Sequence, residues 1–205
     1  MPAHRLLAPR DFRRMPWKNG AGRTSEIASW PDGAGAFAGR VSIAEIERDG
    51  PFSAWPGVDR TFVLLDGAGV VLTQHGVDSE VSARHEPFRF AGDEAASCRL
   101  VAGPARAFNL MVRRGAVRGG VTVADGGSAF AGPFRFGVCY AAQGASECLL
   151  PGAAPGPSQL QHVAHGPTIR RRVARRRASR AVTRRGTRPE ARRTGCEGVA
   201  LRSWG

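Results

Sequence analysis

The sequence predicts an all-β fold, and three observations support this prediction. Apolar residues recur mainly at every second position, as they do on strands that bury one face. Turn-forming segments such as DGAG, AGDE and ADGG separate these runs at intervals of roughly 8 to 12 residues. No run of 12 residues carries apolar side chains at the helical period. Many short strands separated by turns are typical of an antiparallel β-sandwich or β-barrel.

The predicted strands follow one another from residue 40 onward. The first run covers Arg40 to Glu47 and ends at a turn that begins at Asp49. Residues 60–74 contain two β-rich runs joined through Gly67 and Gly69, which is the composition of a β-hairpin. Shorter predicted strands follow at 80–83, 88–90, 98–102, 106–112, 121–124 and 134–141.

Positive charge is concentrated at the carboxyl end of the chain. The net charge is +13, and residues 160–205 hold 13 arginines against only Glu190 and Glu197. Trp204 is the only one of the 15 aromatic residues beyond residue 159, so this tail has little apolar surface to offset the entropy of ordering. We therefore predict a β domain over residues 1–150, followed over 151–205 by a Pro/Gly linker and a disordered, Arg-rich tail.

Several classes of protein are disfavoured. No stretch approaches the roughly 18 consecutive apolar residues of a membrane-spanning helix. The first 17 residues lack the apolar centre of a secretory signal, so we expect a cytoplasmic protein without a membrane partner. The four cysteines are widely spaced, which favours reduced, buried thiols over a disulfide framework.

Motifs for catalysis and metal binding are also missing. His4, His75 and His85 form neither an HxH nor an HxxxH pair, and no GxSxG elbow or nucleotide-binding fingerprint occurs. The sequence thus predicts no metal and no cofactor. It favours a binding protein over an enzyme, while leaving an enzymatic activity open.

One predicted strand places polar side chains among apolar ones. In RAFNLMVRR at 106–114, alternation puts Phe108 on one face and Asn109, Met111 and Arg113 on the other. If that second face lines a barrel interior, an arginine fork and an amide are suited to holding a carboxylate or amide ligand. If it faces solvent, the arginine is an ordinary surface charge. The spacing leaves both interpretations open.

Four segments resemble the HutD/Ves family in order and spacing. They are WKNGAGRTSEIA at 17–28, GRVSIAEIERDGPFSAWPGVDRTFVLLDGAGVVL at 39–72, EPFRFAGD at 86–93 and GPARAFNLMVRRG at 103–115. The resemblance implies a cupin-like, bicupin-type β-barrel with two similar halves. It also implies a non-catalytic role in histidine utilisation, in which the protein binds a pathway metabolite such as formylglutamate or urocanate and limits the pathway.

The same resemblance implies a polar lining for the ligand pocket and favours the pocket interpretation of the 106–114 strand. Among the residues that match the family motifs, we expect six to form this lining: Trp17, Asn19, Glu26, Arg60, Asn109 and Arg113. The expected partner is a small carboxylate metabolite of the histidine pathway.

The resemblance weakens after residue 115 and stops beyond residue 150, where the Arg-rich tail has no strand pattern. We favour a frameshift that replaced the last strands of the second half, because a shifted reading frame of a GC-rich gene yields such a composition. The other interpretation is a genuine basic arm that binds nucleic acid or an acidic surface. The alternative function is therefore a nucleic-acid-binding protein that acts through residues 170–193.

Overall fold

A computed structural model describes residues 5–31, 36–124, 137–142, 145–150, 162–164, 168–173 and 198–204. Within these residues β-strands dominate, as predicted, and one 3-10 turn covers Pro9–Asp11. The strands are β1 (Arg5–Leu7), β2 (Arg13–Pro16), β3 (Gly22–Trp30), β4 (Gly39–Ile46), β5 (Gly50–Phe52), β6 (Val58–Asp66), β7 (Val70–Gln74), β8 (Val77–Val81), β9 (Pro87–Ala91), β10 (Ala96–Leu100), β11 (Ala105–Arg113), β12 (Arg118–Ala124), β13 (Val138–Ala141), β14 (Ala145–Leu150), β15 (His162–Ala164), β16 (Thr168–Val173) and β17 (Gly198–Trp204).

A six-stranded antiparallel sheet is shared by the two main cores of the molecule, with the strand order β2-β3-β4-β11-β6-β9. A four-stranded antiparallel sheet, β5-β10-β7-β8, shares one core with it. A five-stranded sheet, β1-β15-β13-β17-β12, contributes residues to the other core. A further pair joins β14 to β16.

The two faces of the six-stranded sheet contribute to different cores, because successive side chains along each strand point to opposite faces. Phe62 on β6 packs with Leu72 on β7 and Cys98 on β10 between the six- and four-stranded sheets. Phe108 on β11 packs with Val138 against the five-stranded sheet. The predicted face assignment within β11 is confirmed, because Phe108 and Asn109 alternate and lie in different environments.

The hairpin predicted for residues 60–74 is wrong. β6 pairs with β9 and β11, whereas β7 pairs with β8 and β10, so the chain crosses between two sheets at Gly67 and Gly69. Both glycines have positive φ, at 98° and 116°. Two apolar runs joined by glycines look the same in sequence whether they pair or face each other across a core. The hairpin in this region is β7–β8, whose two-residue turn, His75-Gly76, has positive φ at both positions.

Several strands lie outside the predicted ones. β1, β2 and β3 precede residue 40, the point at which the predicted strands begin. The predicted break at Asp49-Gly50-Pro51 is followed at once by β5, a short strand that pairs with β10. β1, β2 and β5 have only three or four residues, too few to show a period of two. β3 has nine residues, but a β-bulge between Glu26 and Ala28 interrupts its alternation.

Strands also occur beyond residue 160, where the sequence analysis finds no strand pattern. β17 pairs antiparallel with β12 and β13, and β15 pairs parallel with β1 and β13. In β17 the apolar Val199 and Leu201 occupy alternate positions, a signal that the high arginine content of the tail obscures. The whole linker at 151–159 and residues 174–197 of the Arg-rich stretch lie outside the described residues. Both interpretations of that stretch remain predictions.

Candidate functional site

The six- and four-stranded sheets enclose a core that we refer to as the barrel interior. Polar side chains form two adjacent rows on the face of the six-stranded sheet that borders this interior. In one row Glu26 of β3 is opposite Ser42 of β4, which is opposite Asn109 of β11. In the next row Arg40 of β4 is opposite Met111, which is opposite Arg60 of β6. Cross-strand neighbours share a face of the sheet. The register thus collects polar groups from β3, β4, β6 and β11 at one end of the barrel core.

Arg60 is the buried cation of this site and is only 9% exposed. Its Nη2 donates to Asn109 Oδ1 at 3.4 Å, and its guanidinium carbon lies 5.1 Å from the Phe52 ring centroid and 4.8 Å from that of Phe90. Its Nε is buried and has no hydrogen-bond partner among the described residues. Burial, together with the nearby charge of Arg40, lowers the pKa of Arg60 to about 10. At neutral pH the group is therefore a charged donor with an unused hydrogen.

Glu26 forms ion pairs with two other arginines, Arg13 and Arg40. Arg13 Nη2 donates to Glu26 Oε1 at 2.8 Å, and Arg40 Nε donates to Oε2 at 2.6 Å. The Arg40 guanidinium lies 5.9 Å from the ring centroid of Trp55. Glu26 supplies one negative charge against the three positive charges of Arg13, Arg40 and Arg60, so these groups leave an excess of positive charge. Arg40 was not among the predicted site residues, although alternation along β4 puts it on the same face as Ser42.

Trp17 and Asn19 lie where the chain enters β3. Trp17 Nε1 donates to Thr24 Oγ1 at 2.8 Å, and its ring meets that of Phe52 edge to face at 5.6 Å, so it extends the aromatic wall beside Arg60. Asn19 is exposed. Its Oδ1 accepts from the Ala21 amide at 3.0 Å and its Nδ2 donates to the Pro51 carbonyl at 3.3 Å. The structure thus places Asn19 in the turn before β3 rather than in the two polar rows.

Arg113 lies at the rim of the barrel, at the end of β11. Its Nε donates to the Phe37 carbonyl at 3.1 Å, and its guanidinium carbon lies 5.8 Å from the Phe37 ring centroid. Phe37 packs with Met111, Val58 and the half-buried Trp55. Arg113 therefore uses part of its guanidinium to hold Phe37 against the end of β11.

No ligand set for a metal ion is evident in the part of the chain that the structure describes, where no three His, Cys, Asp or Glu side chains cluster suitably. Cys98 lies in the barrel core, and burial raises the pKa of its thiol to about 12. Among the residues that the structure describes, no helix is long and apolar enough to cross a bilayer.

Comparison with known proteins identifies the family. The sequence profile of the HutD family matches residues 9–165. The chain belongs to the HutD family. The match extends well beyond Gly115, where the sequence resemblance becomes weak. Membership confirms the predicted resemblance, and the β-strands described above agree with the predicted all-β fold class.

Named relatives of this HutD-family chain include Protein Ves from Citrobacter koseri, 41% identical over 119 residues, which cover 56% of this chain and 62% of that protein. An uncharacterized 21.2 kDa protein in the hutC 3′ region of Pseudomonas putida is 41% identical over 107 residues, which cover 52% of this chain and 56% of that protein. The solved structure of HutD from Pseudomonas fluorescens SBW25, in a formate condition, has a TM-score of 0.52 and 39% identity, covering 57% of this chain and 64% of that one. The chain thus spans less than two thirds of each of these relatives. The family is linked to the histidine utilisation locus.

Proposed function

We propose that this chain is a non-catalytic, cytoplasmic protein that binds a small carboxylate metabolite of histidine breakdown inside its barrel and thereby limits the pathway. The candidate ligands are formylglutamate and urocanate. The observation that carries the proposal is the buried Arg60 guanidinium, whose Nε has no partner among the described residues. A buried charged group without its full set of hydrogen bonds is costly unless something else satisfies it.

A carboxylate matches this unused donor. A guanidinium offers paired N–H groups in a fork that fits the two oxygens of a carboxylate. Asn109 accepts from Nη2, and the Phe52 and Phe90 rings contact the guanidinium, so these three residues together orient the fork. The positive excess left by Arg13, Arg40, Arg60 and Glu26 favours an anionic ligand over a zwitterion such as histidine.

A titration of the full chain tests this proposal. We expect saturable stabilisation in thermal-shift and calorimetric experiments with formylglutamate or urocanate, and weaker effects with glutamate and histidine. A ligand at 100 times its Kd stabilises the fold by about 2.7 kcal/mol. The variant Arg60→Gln should lose at least about tenfold in affinity, since a charge-assisted hydrogen bond contributes roughly 1.5–3 kcal/mol.

Arg99→Gln is the matched control, because Arg99 is an exposed arginine on β10 of the four-stranded sheet. It should bind as the natural sequence does. If Arg60→Gln folds and binds the ligand with unchanged affinity, the barrel pocket is not the binding site. If no candidate ligand stabilises the folded protein, the ligand class is wrong.

Nucleic-acid binding through residues 170–193 is the second candidate, and it rests on the concentration of arginine in that stretch. Binding of an RNA or DNA duplex should weaken steeply between 50 and 200 mM salt, on the order of 10³-fold for six or more phosphate contacts. Replacing Arg175, Arg176 and Arg177 by Gln in the full chain should reduce that salt dependence. Unchanged binding in this variant would count against the tail.

A further inference from the structure

A second recess lies at the β9 edge of the six-stranded sheet, where β12 and the turn before it approach. It is a cleft of about 470 Å³, and its lining includes Asp59, Thr61, Arg89, Val112, Arg114 and Arg118. Its volume falls within the roughly 300–1,000 Å³ that small-molecule pockets occupy. We refer to this recess as the β9–β12 cleft.

The β9–β12 cleft opens mainly on the opposite side of the sheet from the barrel interior. Asp59 and Thr61 flank Arg60 on β6, and strand alternation points their side chains to the other face. Arg89 is the cross-strand neighbour of Thr61 and shares that face. Arg60 and Phe90 also line the cleft, so the cleft adjoins the barrel pocket. Arg89, Arg114 and Arg118 belong to the cleft and not to the two polar rows of the barrel.

The arginines of the cleft differ in whether they form ion pairs. Arg114 pairs with Asp59 and with Asp93, at 2.5 Å in each case, and these hydrogen bonds raise the pKa of Arg114. The charge of Arg114 is therefore already shared between two carboxylates. Arg89 and Arg118, in contrast, are exposed and form no ion pair with any residue that the structure describes. Two uncommitted guanidinium groups from different strands thus border one recess.

Gly120 on β12 allows the Arg89 side chain to approach the backbone of that strand. A Cβ on Gly120 would lie 3.3 Å from Arg89 Nη2, so the guanidinium reaches across to the backbone of β12. Val112 and Val117 add apolar surface beside the two arginines. The site therefore combines a cationic end with an apolar wall, which suits a ligand that carries an anionic group on an apolar body.

We infer that the β9–β12 cleft binds a small organic anion, whose carboxylate or phosphate accepts hydrogen bonds from Arg89 and Arg118 while its apolar part contacts Val112 and Val117. Guanidinium groups bind both kinds of anion through paired N–H donors. This site is separate from the proposed barrel pocket and does not depend on it.

Benzoate and phenyl phosphate test the inference on the full chain, because they share one ring and differ in the anionic group. Amide chemical shifts of Thr61, Val112 and Arg118 should move in a saturable way with at least one probe. The double variant Arg89→Gln/Arg118→Gln should bind that probe at least tenfold more weakly. Stronger binding of one probe identifies whether the carboxylate or the phosphate is preferred.

Two controls separate this site from the barrel pocket. Arg99→Gln removes one exposed positive charge elsewhere and should leave the shifts unchanged, and the double variant should still bind the barrel ligand. Because Arg89 and Arg118 are exposed, their replacement should preserve the thermal midpoint. Undiminished binding in the folded double variant would overturn the inference, as would probe-induced shifts confined to Ser42 and Asn109 or the absence of saturable shifts with either probe.

Discussion

Glu26 is the residue on which the charge arrangement inside the barrel depends most directly. It is 8% exposed and accepts one hydrogen bond from Arg13 and one from Arg40. Removing one partner of a buried ion pair leaves the other uncompensated. We expect Glu26→Gln to lower the free energy of unfolding by about 3 kcal/mol, measured by urea denaturation, because Arg40 is only 14% exposed.

Glu47→Gln provides the comparison for Glu26, since Glu47 pairs with Arg23 on the surface. Exposed ion pairs contribute little to stability, so its loss should be much smaller. Equal losses in the two variants would contradict a special role for the buried pair.

The sequence predicts the position of a site residue better than its burial or its partners. Alternation along β11 and β6 correctly separates Asn109 from Phe108 and leaves Arg60 on the barrel side. It cannot reveal that the Nε of Arg60 is unsatisfied, because this depends on which side chains the register brings from neighbouring strands. The sequence motif also does not distinguish Glu26, which lies in the polar rows, from Asn19, which lies in the turn before β3.

At the scale of elements, the crossing between β6 and β7 depends on backbone geometry that only glycine adopts readily. Gly67 has φ of +98°, and a Cβ there would lie 2.6 Å from the Pro104 carbonyl oxygen. We expect Gly67→Ala to destabilise the fold by about 2 kcal/mol or more, measured by denaturant unfolding. Gly76→Ala should cost only about 1 kcal/mol, because Gly76 has positive φ but open space around it. A smaller loss at Gly67 than at Gly76 would contradict this account.

A second feature at this scale is the pair of ion pairs that Arg114 forms with Asp59 and Asp93 beside the β9–β12 cleft. The hydrogen bond from Arg114, and secondly that from the Gly57 amide, lowers the pKa of Asp93 from its ordinary 3.8. A depressed carboxylate pKa stabilises the fold above the unfolded value, and this contribution is lost as pH falls through the folded pKa. Asp93→Asn should therefore be less stable than the natural sequence at pH 7, and the difference should shrink towards pH 2. Chemical denaturation at several pH values measures it, and a constant difference would contradict the assignment.

The strands themselves are largely predictable, whereas their pairing is not. The longer strands β4, β6 and β11 match the predicted runs, although β6 is buried on both faces and does not alternate in polarity. The choice between pairing β7 with β6 and packing it across a core is made by long-range contacts, which local alternation does not encode. The short strands β2 and β5 lie at sheet edges, where each pairs with a longer strand, β3 and β10 respectively.

For the whole molecule, the six-stranded sheet couples the two cores. Phe62 and Phe108 are each at most 1% exposed and lie on opposite faces of adjacent strands. The face of the sheet that carries Phe108 is covered partly by strands from the end of the chain, since β15 and β17 pair with β13, and β17 also pairs with β12. The six-stranded sheet therefore carries Arg60 on one face, and its other face shares a core with the five-stranded sheet. β15 and β17, from the end of the chain, are part of that five-stranded sheet.

A chain that ends at residue 159 tests this dependence. It would lack β16, the partner of β14, as well as β15 and β17. The loss of β15 and β17 would leave the edges of β12 and β13 unpaired and expose apolar side chains such as Val121 and Val138. Unpaired edges next to apolar surface promote association between chains. We expect the shortened chain to form large, polydisperse assemblies in light scattering coupled to size exclusion, under conditions in which the full chain does not. The full-length variant with Arg175, Arg176 and Arg177 replaced by Gln should behave like the natural sequence, because it keeps both strands. A folded, monodisperse chain of 159 residues would show that β15 and β17 are dispensable for covering this core.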